Sequence, residues 1–380
     1  MRLLQTALEQ ARLSLLSANP NPRVGCILCN PDGVVLGSGH TQAAGSAHAE
    51  VMALRDAAAK GFSVKGATAY VTLEPCSHHG RTPPCCDALI TAGVAKVVVA
   101  VLDPNPLVAG RGVQRLRAAG IEVTVLPTES AEAMASRELN IGFFSRMLRQ
   151  TPWVRLKMAA SLDGTTALAN GASQWITGQA ARADGHAWRA RACAVLTGIG
   201  TVLQDDPLLN VRHVDTPRQP HLVVVDSRLE IALTAQLFAI NSIAARALFI
   251  YSAGQNGTKN SAYAAKKQAL EARGVTVVEL PEKDTGKVDL QAMLRDLAHR
   301  EVNELHVEAG FKLNGSLFKA GVVDEVLLYT APKLLGAGQG LANMPTLHSL
   351  TDAVQLDFQS VDRLGEDLRM LARVRGRDKF

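Results

Sequence analysis

Three cysteines, a histidine and a glutamate in the first quarter of the chain could bind a metal ion and move a proton. The stretch LEPCSHHGRTPPCCDALI, residues 73–90, contains Cys76, Cys85 and Cys86, and the upstream stretch SAHAE places His48 two residues before Glu50. Zinc takes imidazole and thiolate ligands, and a catalytic zinc site has three protein ligands and one position open to water. One histidine and two of these cysteines would complete such a site.

The glutamate extends the prediction from metal binding to hydrolytic deamination. In zinc deaminases the metal activates a water molecule, and a glutamate that is not a ligand carries a proton to the leaving ammonia. The H-x-E pattern of those enzymes is present at His48 and Glu50, and the P-C-x-x-C pattern is present in altered form. Eight residues separate Cys76 from Cys85 instead of two, which predicts an inserted loop between two ligands.

Cys85 and Cys86 compete for one ligand position. Neighbouring helical positions point about 100° apart, so only one of the two thiols can face the metal. The two prolines before Cys85 fix the turn, and the start of a helix favours a thiolate, which together favour Cys85. His78 and His79 are further possible ligands, although the inserted loop suits contact with a substrate better. Alternatively, scattered cysteines are buried apolar side chains without a metal.

The elements around these residues predict an α/β three-layer domain. Two strand-like runs, VGCILC and GVVLGSGHT, are joined by NPDG, whose Asp-Gly pair favours a hairpin. Helical and strand-like patterns then alternate, with strands in ATAYVTLEP, AKVVVAVLD and IEVTVL. This α/β pattern ends near residue 126, and a polar helical stretch follows. We therefore expect two domains, residues 1–146 and residues 147–380.

The second half of the chain predicts a larger α/β domain with a mainly parallel sheet. It contains seven strand-like runs with helical stretches between most of them: WVRLKMAASL, ACAVLTG, HLVVVD, RALFIYS, GVTVVEL, ELHVEAG and EVLLYTAPKLLG. No G-x-G-x-x-G follows a strand, so the dinucleotide fingerprint is absent. The loop at residues 310–315 follows a strand and precedes a helix, where backbone N–H groups can bind a phosphate.

Composition restricts the class of protein. The chain has 380 residues, 47% hydrophobic residues and a net charge of +5, as expected for a two-domain globular protein. Its six cysteines are too few for a disulfide scaffold in a chain of this length. The first residues predict an amphipathic helix, and no apolar run is long enough to span a bilayer. We expect a cytoplasmic protein without a membrane partner.

Four motifs in the first half resemble the bifunctional deaminase/reductase family of bacterial riboflavin biosynthesis: ANPNPRVGCIL, HAEVMAL, TLEPCSHHGRTPPC and VLDPNPLVAGRG. The extended loop PCSHHGRTPPC separates the sequence from cytidine and tRNA adenosine deaminases. The resemblance implies a cytidine-deaminase-like fold and one zinc ion in this domain. It implies that His48, Cys76 and Cys85 hold the zinc and that Glu50 donates the proton.

The same resemblance implies the first substrate, 2,5-diamino-6-(phosphoribosylamino)pyrimidin-4-one. Asn21 and His40 lie in family motifs, which implies positions near that substrate. An ordinary Asn-Pro turn is an equally good account of Asn21. The DPNP run at residues 103–106 follows a strand end where α/β sheets bind ligands, but it is also a good turn.

Motifs in the second half resemble the reductase half of the same family: RLKMAASLDG, SQWITG, TVLQDDPLLNVR, VVVDS, HVEAG and YTAPKLLG. The resemblance implies a dihydrofolate-reductase-like sheet that binds NADPH and reduces the ribosyl group to ribityl. The NADPH contacts implied are Ala159, Trp175, Thr201, Asp205, Ser227, Gly310, Phe311, Lys312, Leu313, Asn314, Gly315 and Ser316. The substrate contacts implied are Ser173, Arg189, Leu209, Arg212 and Glu308.

Some of these residues have a chemical reason as well as a plainer alternative. The planar guanidinium groups of Arg189 and Arg212 suit a phosphate monoester, but each could be part of a surface ion pair. Trp175 could instead be a core residue. Lys157 and Asp163 could assist protonation or only form structural contacts, so no catalytic acid is assigned to the reductase.

Two competing functions remain open from the sequence. A deaminase that binds nucleic acid would suit the positive net charge. However, only 4% of the residues are aromatic, and no row of Lys and Arg residues alternates with aromatic residues as in single-strand-binding proteins. A purely structural zinc site would have no use for Glu50. We therefore expect a small phosphorylated pyrimidine as the partner, with no nucleic acid, and a homo-oligomer in solution.

Overall fold

The computed structural model describes residues 2–78, 83–239, 246–254 and 261–380, and the chain forms two compact units. The first unit comprises Met1–Gln150 together with Phe380, and the second comprises Thr151–Lys379. Each unit has its own sheet and its own buried apolar core. The assignment of one activity to residues 1–146 and the other to residues 147–380 stays a prediction.

The first unit is built on a five-stranded sheet with the strand order β2-β1-β3-β4-β5. Its strands are β1 (Gly25–Cys29), β2 (Val35–His40), β3 (Thr68–Val71), β4 (Lys96–Val99) and β5 (Glu122–Val125). β1 is antiparallel to both β2 and β3, whereas β3, β4 and β5 are parallel. The hairpin expected at NPDG is present, and Gly33 adopts a φ of 82° in its turn.

Glycines in the hairpin allow helices to pack closely on it. The helices of the first unit are α1 (Arg2–Leu13), α2 (Ala49–Ala59), α3 (Cys85–Thr91), α4 (Arg111–Ala118), α5 (Ala131–Leu139) and α6 (Ile141–Arg149). A Cβ on Gly25 would lie 1.8 Å from the carbonyl oxygen of Ala7 in α1. A Cβ on Gly39 would lie 2.4 Å from that of Ala49 in α2. The approach at Gly39 allows the start of α2 to lie directly against β2.

The second unit contains a nine-stranded sheet with the order β11-β10-β9-β8-β12-β6-β13-β16-β15. Its strands are β6 (Trp153–Ser161), β8 (Ala194–Gly198), β9 (His221–Val225), β10 (Leu248–Ser252), β11 (Thr276–Glu279), β12 (Glu304–Val307), β13 (Glu325–Ala331), β15 (Leu356–Leu364) and β16 (Asp367–Val374). The pairs from β11 to β13 are parallel, and β16 and β15 join antiparallel. A separate two-stranded sheet pairs β7 (Ala167–Leu168) with β14 (Gly338–Gln339).

Helices cover this sheet on both faces. They are α7 (Gln179–Arg191), α8 (Ile199–Asp205), α9 (Ser261–Glu271), α10 (Leu290–His299) and α11 (Phe311–Lys319), with short 3-10 helices at Gln236–Phe238 and Leu350–Asp352. Residues of α10 and α11 pack against one face, and residues of α7 pack against the other at β13. The fold thus has the predicted α/β class with a mainly parallel sheet. Among the residues with described positions, none of the helices could span a bilayer.

Candidate active sites

Three sequence-distant side chains converge at one end of the first sheet. His48 is the residue that precedes α2, Cys76 follows β3 after a short loop, and Cys85 is the first residue of α3. The Nδ1 atom of His48 lies 3.2 Å from Sγ of Cys85 and 3.6 Å from Sγ of Cys76. Their donor atoms all lie within 4.8 Å of one another. The fold therefore assembles the histidine and two cysteines that the sequence singled out.

The geometry of this donor set fits tetrahedral zinc. With Zn–N near 2.0 Å and Zn–S near 2.3 Å, tetrahedral ligand atoms lie about 3.5–3.8 Å apart. The separation of 3.6 Å between Nδ1 of His48 and Sγ of Cys76 lies in that range, and the separation of 3.2 Å from Nδ1 to Sγ of Cys85 is a few tenths of an ångström shorter. The backbone N–H of Cys85 also donates to Sγ of Cys76 at 3.3 Å, a bond that favours the thiolate.

Proton sharing in this cluster supports the same conclusion. Hydrogen bonds from Cys85 and His48 lower the pKa of the Cys76 thiol to about 4, although burial opposes them. The bond to Cys76 and burial raise the pKa of Cys85. The two thiols therefore titrate as a pair, and metal binding, which takes both as thiolates, would release protons from them.

Glu50 stands beside the donor set and is not part of it. It lies in the first turn of α2 and is only 3% exposed. Burial raises its pKa to about 7, with the Cys76 thiolate adding to the shift. A carboxylate near neutrality can both accept and donate a proton. A divalent cation at the three donors would favour its ionised form.

The neighbouring candidates for metal binding lie elsewhere. Cys86 is buried, and its thiol donates to the carbonyl oxygens of Pro75 at 3.3 Å and Gly112 at 3.6 Å. His78 lies outside the donor set, and its buried Nδ1 has no hydrogen-bond partner among the described residues. His79 falls outside the described residues. The structure thus places Cys85, and not Cys86, in the donor set, whereas the sequence alone only favoured Cys85.

The two other residues predicted near the first substrate lie on the hairpin side of the unit. Asn21 closes a turn, with its N–H donating to the carbonyl oxygen of Ala18 at 2.9 Å. His40 ends β2 opposite Gly25, and burial lowers its pKa. Both side chains are partly exposed. Their contact with a substrate stays a prediction.

Most residues predicted for the second site follow the carboxyl ends of parallel strands. Thr201 and Asp205 lie in α8 after β8, and Ser227 follows β9. Glu308 follows β12, and the stretch from Gly310 to Ser316 forms the start of α11. Ala159 lies in the second half of β6. Ligands of open α/β sheets bind at this edge.

A cleft of about 430 Å³ lies at the same region. It is lined by Asn170, Gly171, Ala172, Ser173, Gln174, Gln204 and Asp205. Ser173 and Asp205 are predicted to contact substrate and NADPH, and the cleft brings them together. Trp175 follows the cleft residues in sequence, is 66% exposed and lies under the guanidinium of Arg182 at 4.7 Å. The alternative that Trp175 is a core residue is therefore wrong.

Arg189 and Glu308 bind each other. Arg189 donates from Nε and Nη2 to the two carboxylate oxygens of Glu308 at 2.6 and 2.9 Å. It also donates from Nη1 to the carbonyl oxygen of Asn210 at 2.5 Å. Burial would raise the pKa of Glu308, but Arg189, His306 and Lys157 hold it well below its usual range. The two hydrogen bonds hold the Arg189–Glu308 ion pair in place directly after β12.

Arg212 is more accessible than Arg189. One of its side-chain nitrogens donates to Oδ1 of Asn210 at 2.7 Å, and the side chain is exposed. Its backbone N–H donates to Nδ1 of His186 in α7 at 3.1 Å. Leu209 precedes this loop segment with a φ of 46°. Sequence reasoning missed His186, because a histidine that accepts a backbone hydrogen bond leaves no spacing signal.

Lys157 and Asp163 differ in their surroundings. Burial lowers the pKa of Lys157, while Glu308 opposes the shift. Its ammonium lies 5.9 Å from the ring centre of Tyr329. Asp163 instead accepts from the backbone N–H groups of Leu335 and Gly336, at 3.2 and 2.7 Å, which is a structural role. A part for Lys157 in protonation stays a prediction.

Comparison with known protein families accounts for both units. The family described as the cytidine and deoxycytidylate deaminase zinc-binding region matches residues 1–101, and the RibD C-terminal domain matches residues 152–370. The riboflavin biosynthesis protein RibD of Escherichia coli K12 is 42% identical over 363 residues, which is 95% of this chain and 96% of that protein. The chain belongs to the RibD family. RibD of Aquifex aeolicus is 40% identical and is covered over 96% of both chains.

Solved RibD structures share the whole fold. RibD of Acinetobacter baumannii, form 1, superposes with a TM-score of 0.84 at 39% identity and 98% coverage of both chains. The deaminase/reductase of Thermotoga maritima superposes with a TM-score of 0.82 at 29% identity and the same coverage. These matches confirm the predicted family and fold. As a RibD family member, the protein is a bifunctional deaminase and reductase of riboflavin biosynthesis, with zinc and NADPH as its cofactors.

Proposed function

We propose that the first unit deaminates 2,5-diamino-6-(phosphoribosylamino)pyrimidin-4-one and that the second unit then reduces its ribosyl group to ribityl. The observation that carries this proposal is the set of His48, Cys76 and Cys85 donors beside the buried carboxyl of Glu50. A structural zinc site has no need for a buried acid with a pKa near neutrality. The family match supplies the pairing with a reductase.

In the proposed deamination, one set of residues holds the zinc ion and another residue transfers the proton. His48, Cys76 and Cys85 would hold zinc, which supplies an activated water when bound. Glu50 would accept a proton from the attacking water and pass it to the amino group, which then leaves as ammonia. The oxygen of the water becomes the ring carbonyl. Asn21 and His40 are proposed to orient the pyrimidine.

In the second unit the chain positions its ligands for hydride transfer. NADPH supplies the hydride, and the protein supplies placement. The proposed cofactor contacts are Ala159, Trp175, Thr201, Asp205, Ser227 and Gly310 to Ser316, and the proposed substrate contacts include Ser173 and Leu209. Lys157 is proposed to give the proton that converts the reduced carbonyl to an alcohol, because its lowered pKa eases proton release.

The proposed phosphate contacts are Arg212 and Arg189. Arg212 is exposed and uses part of its guanidinium for Asn210, which leaves donors for the phosphate. Arg189 has its Nε, Nη1 and Nη2 engaged by Glu308 and Asn210. Arg212 is therefore the main phosphate ligand in this proposal, and the Arg189–Glu308 pair borders the sugar.

We also propose a cytoplasmic homo-oligomer. The outermost hairpin of the second sheet has an apolar face, because Leu356, Phe358 and Val361 pair with alternate residues of β16 and so share one side. Phe358 is 68% exposed. A second copy would cover such a face. Sedimentation equilibrium tests this, and a Phe358→Glu variant is expected to shift the distribution towards monomer.

The decisive experiment follows ammonia release and NADPH oxidation together in the wild type and in Glu50→Gln. With the diaminopyrimidinone, the wild type is expected to give both signals and the variant neither, since loss of a general acid–base group costs about 10²–10⁴-fold in rate. With the deaminated intermediate, the variant is expected to oxidise NADPH normally. Glu122→Gln, an exposed glutamate of the same unit, is the matched control.

Two results would contradict the proposal. Ammonia release at the wild-type rate in Glu50→Gln would make the zinc site structural. Absence of both signals in zinc-loaded wild type would show that the substrate is wrong. Nucleic-acid binding, with affinity that falls steeply with salt, would then be the function to test.

A further inference from the structure

Glu74 is a buried carboxylate that the proposed mechanism does not use. It lies two residues before Cys76 in the segment after β3 and is only 3% exposed. Its Oε2 accepts from the backbone N–H groups of Asp103 at 3.2 Å and Gly110 at 2.9 Å, and its Oε1 accepts from that of Val113 at 3.0 Å. These charge-assisted bonds satisfy a carboxylate that would otherwise be costly to bury.

The three N–H groups that donate to Glu74 belong to the start of α4 and to the loop that follows β4. Both lie at the end of the sheet that carries the proposed zinc ligands. Gly110 and Val113 lie at the start of α4, so the negative charge of Glu74 lies at the positive end of that helix. Asp103 opens the loop that follows β4, and β4 is the parallel neighbour of β3. Loops that follow neighbouring parallel strands lie side by side, so the loop at residues 103–110 stands beside the loop that carries Cys76.

The peptide between Glu74 and Cys76 is held from two further sides. A Cβ on Gly112 would lie 2.1 Å from the carbonyl oxygen of Pro75, so α4 approaches this peptide more closely than a side chain would permit. The thiol of Cys86 donates to the same carbonyl oxygen at 3.3 Å. The backbone around Cys76 therefore depends on its contacts with α4 and α3.

We propose that Glu74 is a positioning residue of the deaminase, which couples the metal ligand Cys76 to the loop at residues 103–110 through the start of α4. This inference rests on the proposed zinc site and deepens it. Glutamine at this position keeps the shape but replaces one acceptor oxygen with an NH₂ group. At least one of the three backbone donors then faces another donor, and the loops are expected to separate.

The first test measures zinc affinity by competition with a chromophoric chelator on the full chain. Glu74→Gln is expected to weaken zinc binding about 10–100-fold, as other changes to groups behind metal ligands do. Glu122→Gln is the matched control, because Glu122 is exposed at the amino end of β5 and pairs with Lys96. The control is expected to bind zinc as the wild type does.

A second test needs no metal. Hydrogen exchange in the zinc-free protein is expected to be faster in Glu74→Gln at the amides of Asp103, Gly110 and Val113, and unchanged in β4. At saturating zinc, the variant is expected to keep a raised KM for deamination. The loop at residues 103–110 follows a strand end where α/β sheets bind ligands, and in the variant it remains displaced. NADPH oxidation with the deaminated intermediate is expected to equal that of the wild type.

The outcomes separate this inference from the function on which it rests. Wild-type zinc affinity and wild-type amide exchange in Glu74→Gln would overturn the positioning role, and full recovery of KM at saturating zinc would overturn the coupling. Failure of the wild type itself to bind zinc would overturn the proposed function instead. If Glu74→Gln does not fold, Glu74→Asp keeps the charge but not the reach, and wild-type zinc affinity in that variant would overturn the inference.

Discussion

Cys85 and Cys86 are adjacent in the sequence and have different environments in the fold. The thiol of Cys85 lies 3.2 Å from the imidazole of His48, whereas the thiol of Cys86 donates to the carbonyl oxygens of Pro75 and Gly112. Burial raises the pKa of the Cys86 thiol well above its ordinary value. Geometry separates the two thiols: Cys85 lies in the donor set with His48 and Cys76, whereas Cys86 points at backbone carbonyl oxygens outside it.

This difference predicts opposite results for two serine variants. Cys85→Ser is expected to lose zinc and to abolish ammonia release, because a hydroxyl does not replace a thiolate in a three-ligand site. Cys86→Ser is expected to retain both, since a hydroxyl can donate the same hydrogen bonds. Metal analysis of the purified proteins and an ammonia assay measure the two effects. Zinc loss in Cys86→Ser with retention in Cys85→Ser would reassign the ligand.

Residues with distinctive chemistry are recognisable in the sequence, whereas the residues that support them are not. His48, Glu50 and the cysteines stand out because their types and spacing point to zinc. Glu74 and His186 accept hydrogen bonds from backbone N–H groups that are distant in sequence, namely Gly110 and Arg212 among others. Such contacts depend on which loops the fold brings together, and no local pattern encodes them.

At the scale of elements, His186 links α7 to the loop that carries Arg212. Its Nδ1 accepts the N–H of Arg212, so the imidazole must be neutral there. The positive charges of Arg189 and Arg212 and the nearby His213 disfavour protonation of the ring, and Glu308 opposes them. Burial, followed by the two arginines, lowers the pKa of His186 to about 4.

The lowered pKa predicts how the stability of the second unit depends on pH. Between the ordinary pKa near 6.5 and about 4, the unfolded chain binds a proton at this position that the folded chain does not. The free energy of unfolding is therefore expected to fall as pH falls through this window and to be independent of His186 above it. His186→Gln, whose amide oxygen can accept the same bond, is expected to reduce this slope.

Tryptophan fluorescence measures this effect for the second unit alone, because Trp153, Trp175 and Trp188 are the three tryptophans of the chain and all lie in that unit. Urea unfolding at several pH values gives the slope for each variant. His348→Gln, at an exposed position of the same unit, controls for removal of a histidine. Equal slopes in the wild type and His186→Gln would refute the assignment.

Strands with a buried face were predictable, and the last hairpin was not. The seven strand-like runs of the second half correspond to β6 and β8 to β13, whose cores are rich in buried apolar residues. β15 is exposed along most of its length, and a register shift between Phe358 and Ser360 interrupts the alternation of its apolar residues. β16 is stabilised by pairing with β13, a contact that local sequence does not reveal.

At the scale of the whole molecule, each unit folds around its own core and carries its own proposed site. Zinc bound only to the folded first unit would stabilise that unit by about 4 kcal/mol when its concentration is 1,000 times Kd. Among the described residues, the group of side chains that could hold a metal ion lies in the first unit, so this stabilisation is expected for that unit alone. The two activities should therefore respond separately to the metal.

Removal of zinc is accordingly expected to abolish one activity and spare the other. Dialysis against a chelator should stop ammonia release from the diaminopyrimidinone, while NADPH oxidation with the deaminated intermediate continues at the wild-type rate. Tryptophan-detected unfolding of the second unit should stay unchanged, and added zinc should restore ammonia release. If removal of zinc abolished both activities, the reductase activity would depend on the folded, zinc-bound state of the first unit. In that case the two-site scheme would need a coupling that separate cores do not provide.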